Sequence, residues 1–203
     1  MKYCILAAGI GSRNNTISGL HKGLLPIQNV PMISHVINKF NKEKEIIITV
    51  GHLAEQIKSY VKFAHSDKKI KFIEIDKFSG KGSGPGYSLL QCKNDLQCPF
   101  VFAPIDTFLE KEVELTVNNN WIGAVKIAKE ESQKYCLING KEKLESIYYG
   151  EGELAYNGIA GIYDYSNFWK ELGNSNLINE EHQVTIGFKG LENVELKYFE
   201  KFY

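Results

Sequence analysis

Residues 3–13 read Tyr3-Cys4-Ile5-Leu6-Ala7-Ala8-Gly9-Ile10-Gly11-Ser12-Arg13. Six residues of almost unbroken apolar character run straight into a pair of glycines. A strand whose side chains are apolar on both faces belongs in a sheet covered on both sides, which is the setting of parallel strands. The same pattern returns downstream. Pro31 opens a helical stretch with Met32, Ile33, Val36, Ile37 and Phe40 on one face. Glu45–Val50 (EIIITV) reads as a second buried strand ended by Gly51. Leu53, Ile57, Tyr60 and Val61 have helical spacing, and 69–75 reads as a third strand. Strand, loop, helix, strand, helix, strand describes a parallel sheet with helices on its faces.

Residues 76–86 (DKFSGKGSGPG) carry glycine at 80, 82, 84 and 86, with a short helix expected from about Tyr87. Pro99–Pro104 (PFVFAP) is a further buried strand that runs into Asp106. A helix is expected over 111–118. Beyond Asn120 the texture turns to strands, over 121–128, 135–138, 143–148 and 155–163. Helices are read at 166–172 and 180–186, and a closing strand at 194–199. The expected fold class is therefore an α/β three-layer sandwich. Its central sheet is mixed and mostly parallel, Rossmann-like, with extra antiparallel strands in the second half. Neither repeats nor linkers divide the 203 residues, so a single domain is expected.

Composition narrows the function. Lys+Arg and Asp+Glu are both 24, giving zero net charge and no basic field for nucleic acid. No apolar run approaches the roughly 20 residues of a membrane span. The opening segment is too quickly broken by glycine for a signal peptide, and a cytoplasmic location is expected. The four cysteines (4, 92, 98, 136) and five histidines (21, 35, 52, 65, 182) show no zinc-ligand spacing. Reduced thiols are expected. An oligomer is left open.

Ligands of open α/β sheets bind beyond the carboxyl ends of the strands. Three segments lie there: the loop after the first strand, the glycine-rich loop after the third, and Asp106 after the fourth. Gly9 and Gly11 let backbone N–H groups approach phosphate oxygens. Arg13, the one arginine among 24 basic residues, can fork onto a polyphosphate. Lys22 adds a point charge. The P-loop reading fails for want of GK[ST], and the dinucleotide fingerprint fails at Asn14.

LAAGIGSR followed by KGLLPI resembles the nucleotidyltransferases that activate sugar 1-phosphates and phosphocholine, whose signature is LAAGxGxR, a spacer, then PKxLLPI. Here His21 replaces the proline. The segment 50–57 (VGHLAEQI) resembles the family's VGYxxEQI. The Gly82–Gly86 loop sits where the family has its base-binding loop, and Pro104-Ile105-Asp106 where it has its metal-binding aspartate. Residues 156–163 (YNGIAGIY) resemble the acceptor strand NxGIY.

The resemblance implies an enzyme. An acceptor phosphate oxygen attacks the α-phosphorus of a nucleoside triphosphate and pyrophosphate leaves. Its partners are that triphosphate and a phosphorylated sugar or small alcohol, in glycan precursor synthesis of the capsule or lipopolysaccharide kind. The implied catalytic residues are Arg13, Lys22 and Asp106. Leu6, Ala7, Ala8, Gly9, Gly11, Gly51, Gly82, Ser83, Gly84 and Gly86 would hold the nucleotide. Tyr156, Asn157 and Gly158 would face the acceptor. Asp106 would hold Mg²⁺, unless it is simply a helix N-cap. The family has a second metal-binding aspartate on the last strand, whereas no Asp follows Asp164 here. Glu200 is the candidate in its place, unless that residue lies beyond Tyr203. Nor does Ser146-Ile147 continue into the Glu-Lys-Pro of many hexose 1-phosphate enzymes, which leaves base and acceptor open. The alternative is a catalytically weak nucleotide-binding regulatory domain.

Overall fold

A computed structural model of the chain describes residues 1–11, 19–107, 115–174 and 176–200. The chain runs β1 (Lys2–Ala7), β2 (Pro26–Ile27), β3 (Val30–Pro31), α1 (Met32–Lys39), β4 (Ile46–Val50), α2 (Ala54–Ala64), β5 (Ile70–Glu74), α3 (Pro85–Leu90) and β6 (Phe100–Pro104). It continues through β7 (Trp121–Lys126), β8 (Leu137–Gly140), β9 (Leu144–Tyr148), β10 (Leu154–Ile162), α4 (Tyr165–Leu172), α5 (Thr185–Phe188) and β11 (Glu195–Tyr198).

The main sheet has the order β11-β7-β10-β6-β1-β4-β5. The pairs β5–β4, β4–β1 and β1–β6 are parallel, β10 is antiparallel to both β6 and β7, and β11 is parallel to β7. β8 and β9 form a hairpin attached to β10. The reason is visible in β1, where alternation feeds two cores. Cys4 and Leu6 enter one, with Phe100, Phe102, α4 and α5. Tyr3, Ile5 and Ala7 enter the other, with Ile33 and Ile37 of α1 and Ile57 and Val61 of α2. Both faces are covered, as the apolar run demands. This is the expected three-layer α/β arrangement.

The chain leaves β1 for β4 and β5 on one side, then crosses back to β6 on the other side. The carboxyl ends of β1 and β6 thus flank the point where the strand order reverses, the place where such sheets open a crevice. Leu6 pairs with Pro104 across that point.

One expected helix is corrected, and another at its described end only. Residues 111–114 lie outside the described residues, but 115–117 are irregular and lead directly into β7. The stretch 180–186 is not a helix. Asn179 (φ 51°) and Glu180 (φ 64°) form a left-handed turn bridging Ile178 to Glu181, and helix begins only at Thr185. Hydrogen bonds to another loop, described below, win over the local helical pattern. Among the described residues no helix is long and apolar enough to cross a membrane. All four cysteines are free, with Cys4 and Cys92 meeting at 4.0 Å in the core.

Candidate active site

A cleft of about 830 Å³ opens at the crossover. One wall carries the β1 loop and the residues around Lys22 and Asp106. The opposite wall carries the glycine-rich loop and the turn at 179–183.

On the first wall, Leu6, Ala8, Gly9 and Gly11 reach the cleft, while Ala7 is buried in the core beneath it. Lys22 stands at the head of a 3-10 turn over Lys22–Leu24. Its aliphatic stem crosses Gly11, where an added Cβ would stand 2.9 Å from Lys22 Cδ. Glycine at 11 also takes φ 71°. The ammonium of Lys22 donates to Asp106 Oδ2 at 2.8 Å, joining residues 84 apart in sequence. The adjacency of β1 and β6 makes this meeting possible. The Asp106 side chain is half exposed. It caps no helix among the described residues; the nearby backbone bond is Thr107 N–H to the Pro104 carbonyl at 3.2 Å.

On the second wall, three backbone bonds join the glycine-rich loop to the 178–183 turn. Gly82 N–H donates to Glu180 O at 2.7 Å, His182 N–H to Ser83 O at 2.8 Å, and Gly86 N–H to His182 O at 2.7 Å. An added Cβ would stand 2.8 Å from His182 O at Gly84 and 2.6 Å from it at Gly86. These two glycines admit a neighbouring backbone. Tyr87 OH closes the foot of the loop by donating to Asp76 at 2.8 Å. That bond holds the Asp76 carboxyl below its ordinary range and raises the Tyr87 phenol. Ser83 and Gly84 line the cleft, whereas Gly82 and Gly86 support it from behind. Gly51 acts at one remove: it leaves space for Phe78, which lines the cleft, and for the Ala8 carbonyl, which accepts from His52 N–H at 3.0 Å.

The acceptor residues are placed differently from expectation. Tyr156 is buried, its ring edge-on to Phe188 at 5.4 Å and its hydroxyl donating to Gly158 O at 2.8 Å. Asn157 lies over Gly123, accepting from Ile159 N–H at 3.1 Å, and its Nδ2 has no partner among the described residues. Neither lines the cleft. The register of β10 shifts between Tyr156 and Ala160. Gly158, at φ 93°, sits against Pro104, which does line the cleft. Glu200, just past β11, lies outside the lining. Arg13 lies outside the described residues.

Sequence reasoning missed Phe78, Lys81, Ser88, Asn179, Glu180, Glu181 and Gln183, all on the cleft wall. The VGHLAEQI segment held one further signal. Its Gln56 accepts from His21 N–H at 2.9 Å and donates to Gly19 O at 2.7 Å, gripping the chain just before Lys22.

For a divalent cation the fit is a single hard oxygen donor. One Asp106 oxygen is engaged by Lys22, and the residue lines the cleft. Among the described residues no three His, Cys, Asp or Glu side chains gather to form a metal cage. That suits an ion held chiefly by phosphate oxygens with one carboxylate.

The family model for the MobA-like NTP transferase domain matches residues 3–135, well over half of the chain. The chain belongs to this family. It is thereby placed among the nucleotidyltransferases. A bifunctional protein GlmU of Methanococcus vannielii is 27% identical over 196 residues, covering 92% of this chain and 46% of that protein. A second GlmU, from Methanococcus maripaludis, is 31% identical over 120 residues, 58% of this chain and 28% of that protein. The chain thus spans less than half the length of these curated relatives. Among solved structures, the CTP:phosphocholine cytidylyltransferase of Streptococcus pneumoniae superposes with a TM-score of 0.78 at 21% identity, over 98% of this chain and 90% of that one. A UDP-glucose pyrophosphorylase complexed with UDP-glucose gives 0.76 at 17% identity, over 100% and 92%. At these identities the structures establish the fold.

Proposed function

We propose that the cleft transfers a nucleotidyl group from a nucleoside triphosphate to a phosphorylated sugar or small phospho-alcohol, releasing pyrophosphate. The observation that carries this reading is Lys22 beside Asp106 at 2.8 Å, on the carboxyl edge where β1 and β6 meet. The whole chain then serves as one unit, with residues up to about 110 holding the nucleotide and the rest the acceptor. The GlmU relatives and the cytidylyltransferase and pyrophosphorylase structures support a phosphate-bearing acceptor. Glycan precursor synthesis is the role this chemistry fits.

The nucleophile needs no general base, since a phosphate monoester has a second pKa of about 6 and is already anionic. One of its oxygens forms the new bond to the α-phosphorus as the bond from that phosphorus to the β-phosphate oxygen breaks. The pyrophosphate departs with the electron pair. The site's work is alignment and charge neutralisation. Lys22 turns its ammonium from Asp106 to the α-phosphate, Arg13 holds the leaving phosphates, and Gly9 and Gly11 offer backbone N–H groups. Mg²⁺ on Asp106 would supply a Lewis acid for the phosphate oxygens. Ser83, Gly84 and Phe78 frame the base, and Gly158 marks the acceptor side.

Pyrophosphate release from CTP, UTP, GTP, ATP and dTTP against a panel of acceptor phosphates tests the proposal. Turnover with one pair identifies base and acceptor. Triphosphate binding without turnover for every pair favours the regulatory alternative instead.

A further inference from the structure

Lys22 is held from behind by a side chain that the PKxLLPI signature does not have. His21 stands at the proline position and is only 1% exposed. Its Nε2 lies 3.0 Å from the Ala7 carbonyl oxygen, and its Nδ1 lies 3.0 Å from the Gly23 backbone nitrogen. A carbonyl accepts only and an N–H donates only. Together the two contacts define one form of the ring: neutral, with its proton on Nε2. The backbone N–H of His21 donates in turn to Gln56. A proline could make none of these three bonds.

The bonds straddle Lys22. The ring caps the 3-10 turn through Gly23 and ties it to the last residue of β1 through Ala7. Gly23 is itself wedged against Ile105, where an added Cβ would stand 2.2 Å from Cδ1. The turn that carries Lys22 is thus fixed to β1 and to the residue just past β6. We propose that His21 is a positioning residue for nucleotidyl transfer, setting the direction from which the Lys22 ammonium meets the triphosphate. The inference rests on the proposed role of Lys22. Among the described residues, the charged and titratable groups facing the ring are Lys22 on its own turn and His52 after β4. Burial lowers the ring's proton affinity, and both neighbours act in the same sense. Without the ring, a buried N–H and a buried carbonyl lose their partners and the turn is free to rotate.

Isosteres separate the two bonds. His21→Asn retains an acceptor for Gly23, His21→Gln retains a donor for Ala7, and His21→Ala retains neither. Binding of CTP, UTP, GTP, ATP and dTTP, each with Mg²⁺, is measured by calorimetry on the full chain. The same titrations are run on Lys22→Ala and on the His21→Ala/Lys22→Ala double variant. His21→Ala should weaken binding of the preferred triphosphate about tenfold or more, and Asn and Gln should each recover part of the loss. The double variant should bind no more weakly than Lys22→Ala alone. Additive losses would mean that His21 does not act through Lys22 and would overturn the proposal, as would wild-type affinity in His21→Ala. The imidazole ¹⁵N spectrum of the wild type should show a bare Nδ1 and a protonated Nε2 at neutral pH, and the opposite tautomer also overturns it. Should His21→Ala fail to fold, the Asn and Gln variants and this spectrum decide. A wild type that binds none of the five triphosphates overturns the nucleotidyl-transfer reading and this inference together. A wild type that binds while the His21 variants bind equally well overturns this inference alone.

Discussion

The two walls of the cleft are built in opposite ways. The wall proposed to hold the phosphates brings charged side chains to the ends of adjacent strands: Lys22 spans Gly11 and meets Asp106 at 2.8 Å, with both groups reaching the cleft. The facing wall is backbone against backbone. Gly82, Ser83 and Gly86 bond to Glu180 and His182 from a turn about a hundred residues away. The first wall presents an ion pair to the cleft, while the glycines of the second wall hold two loops together. Substitutions should therefore divide cleanly, with turnover failing on the first wall and stability failing on the second.

The largest effect is expected from Asp106→Asn. It removes the carboxylate proposed to hold the metal and should cut kcat/KM by roughly 10²–10³-fold, the scale of losing one electrostatic stabiliser. The side chain is half exposed and its ion pair lies at the surface, so the melting temperature should barely move. A large loss of stability in a melting scan would place Asp106 in the framework instead. Gly86→Ala should behave in reverse. Its Cβ would meet His182 O at 2.6 Å and the Gln183 backbone at 2.7 Å, and neither can yield cheaply. Urea denaturation should show a loss of about 1–3 kcal/mol, the range of overpacking. An unchanged midpoint would mean that the two loops are not clamped.

A smaller effect concerns pH. His21 and His65 are both buried, and burial is the leading cause that lowers each below the ordinary value of 6.5. His65 packs its Nε2 2.8 Å from Ser34 Oγ, behind the sheet and away from the cleft. The unfolded chain then binds more protons than the folded one in this range, so stability rises with pH. Both contributions are complete above 6.5 and fade as pH falls below it through the depressed folded values. Denaturation midpoints should decline on acidification below 6.5, and His65→Gln should flatten part of that slope. A slope unchanged by His65→Gln would remove that histidine from the explanation. The smallest effect is expected from Glu200→Gln, which should leave turnover within about twofold, as for an exposed residue outside the cleft lining. A tenfold loss would return Glu200 to the metal site.

The same contrast explains what the sequence could convey. The buried strand 3–8, the parallel alternation and the placing of Lys22 and Asp106 in segments beyond the carboxyl ends of the strands were readable, because both follow from the strand-helix-strand pattern. The opposite wall was not. Nothing in Asn179-Glu180-Glu181 announces a left-handed turn, since no glycine marks it, and the next residues carry helical spacing. Hydrogen bonds to a distant loop decide their conformation. Tyr156 and Asn157 were expected to face the acceptor from the likeness of 156–163 to the acceptor strand, whereas both lie outside the cleft lining, on a strand whose register shifts between Tyr156 and Ala160. The histidine at position 21 was legible as a departure from the signature, but its two ring bonds were not.

The most direct test of the central claim is Lys22→Ala, assayed for pyrophosphate release with the best nucleotide and acceptor pair and followed by thermal melting. The account predicts a fall in turnover of about a hundredfold or more, with the fold intact. Wild-type release by Lys22→Ala would contradict it.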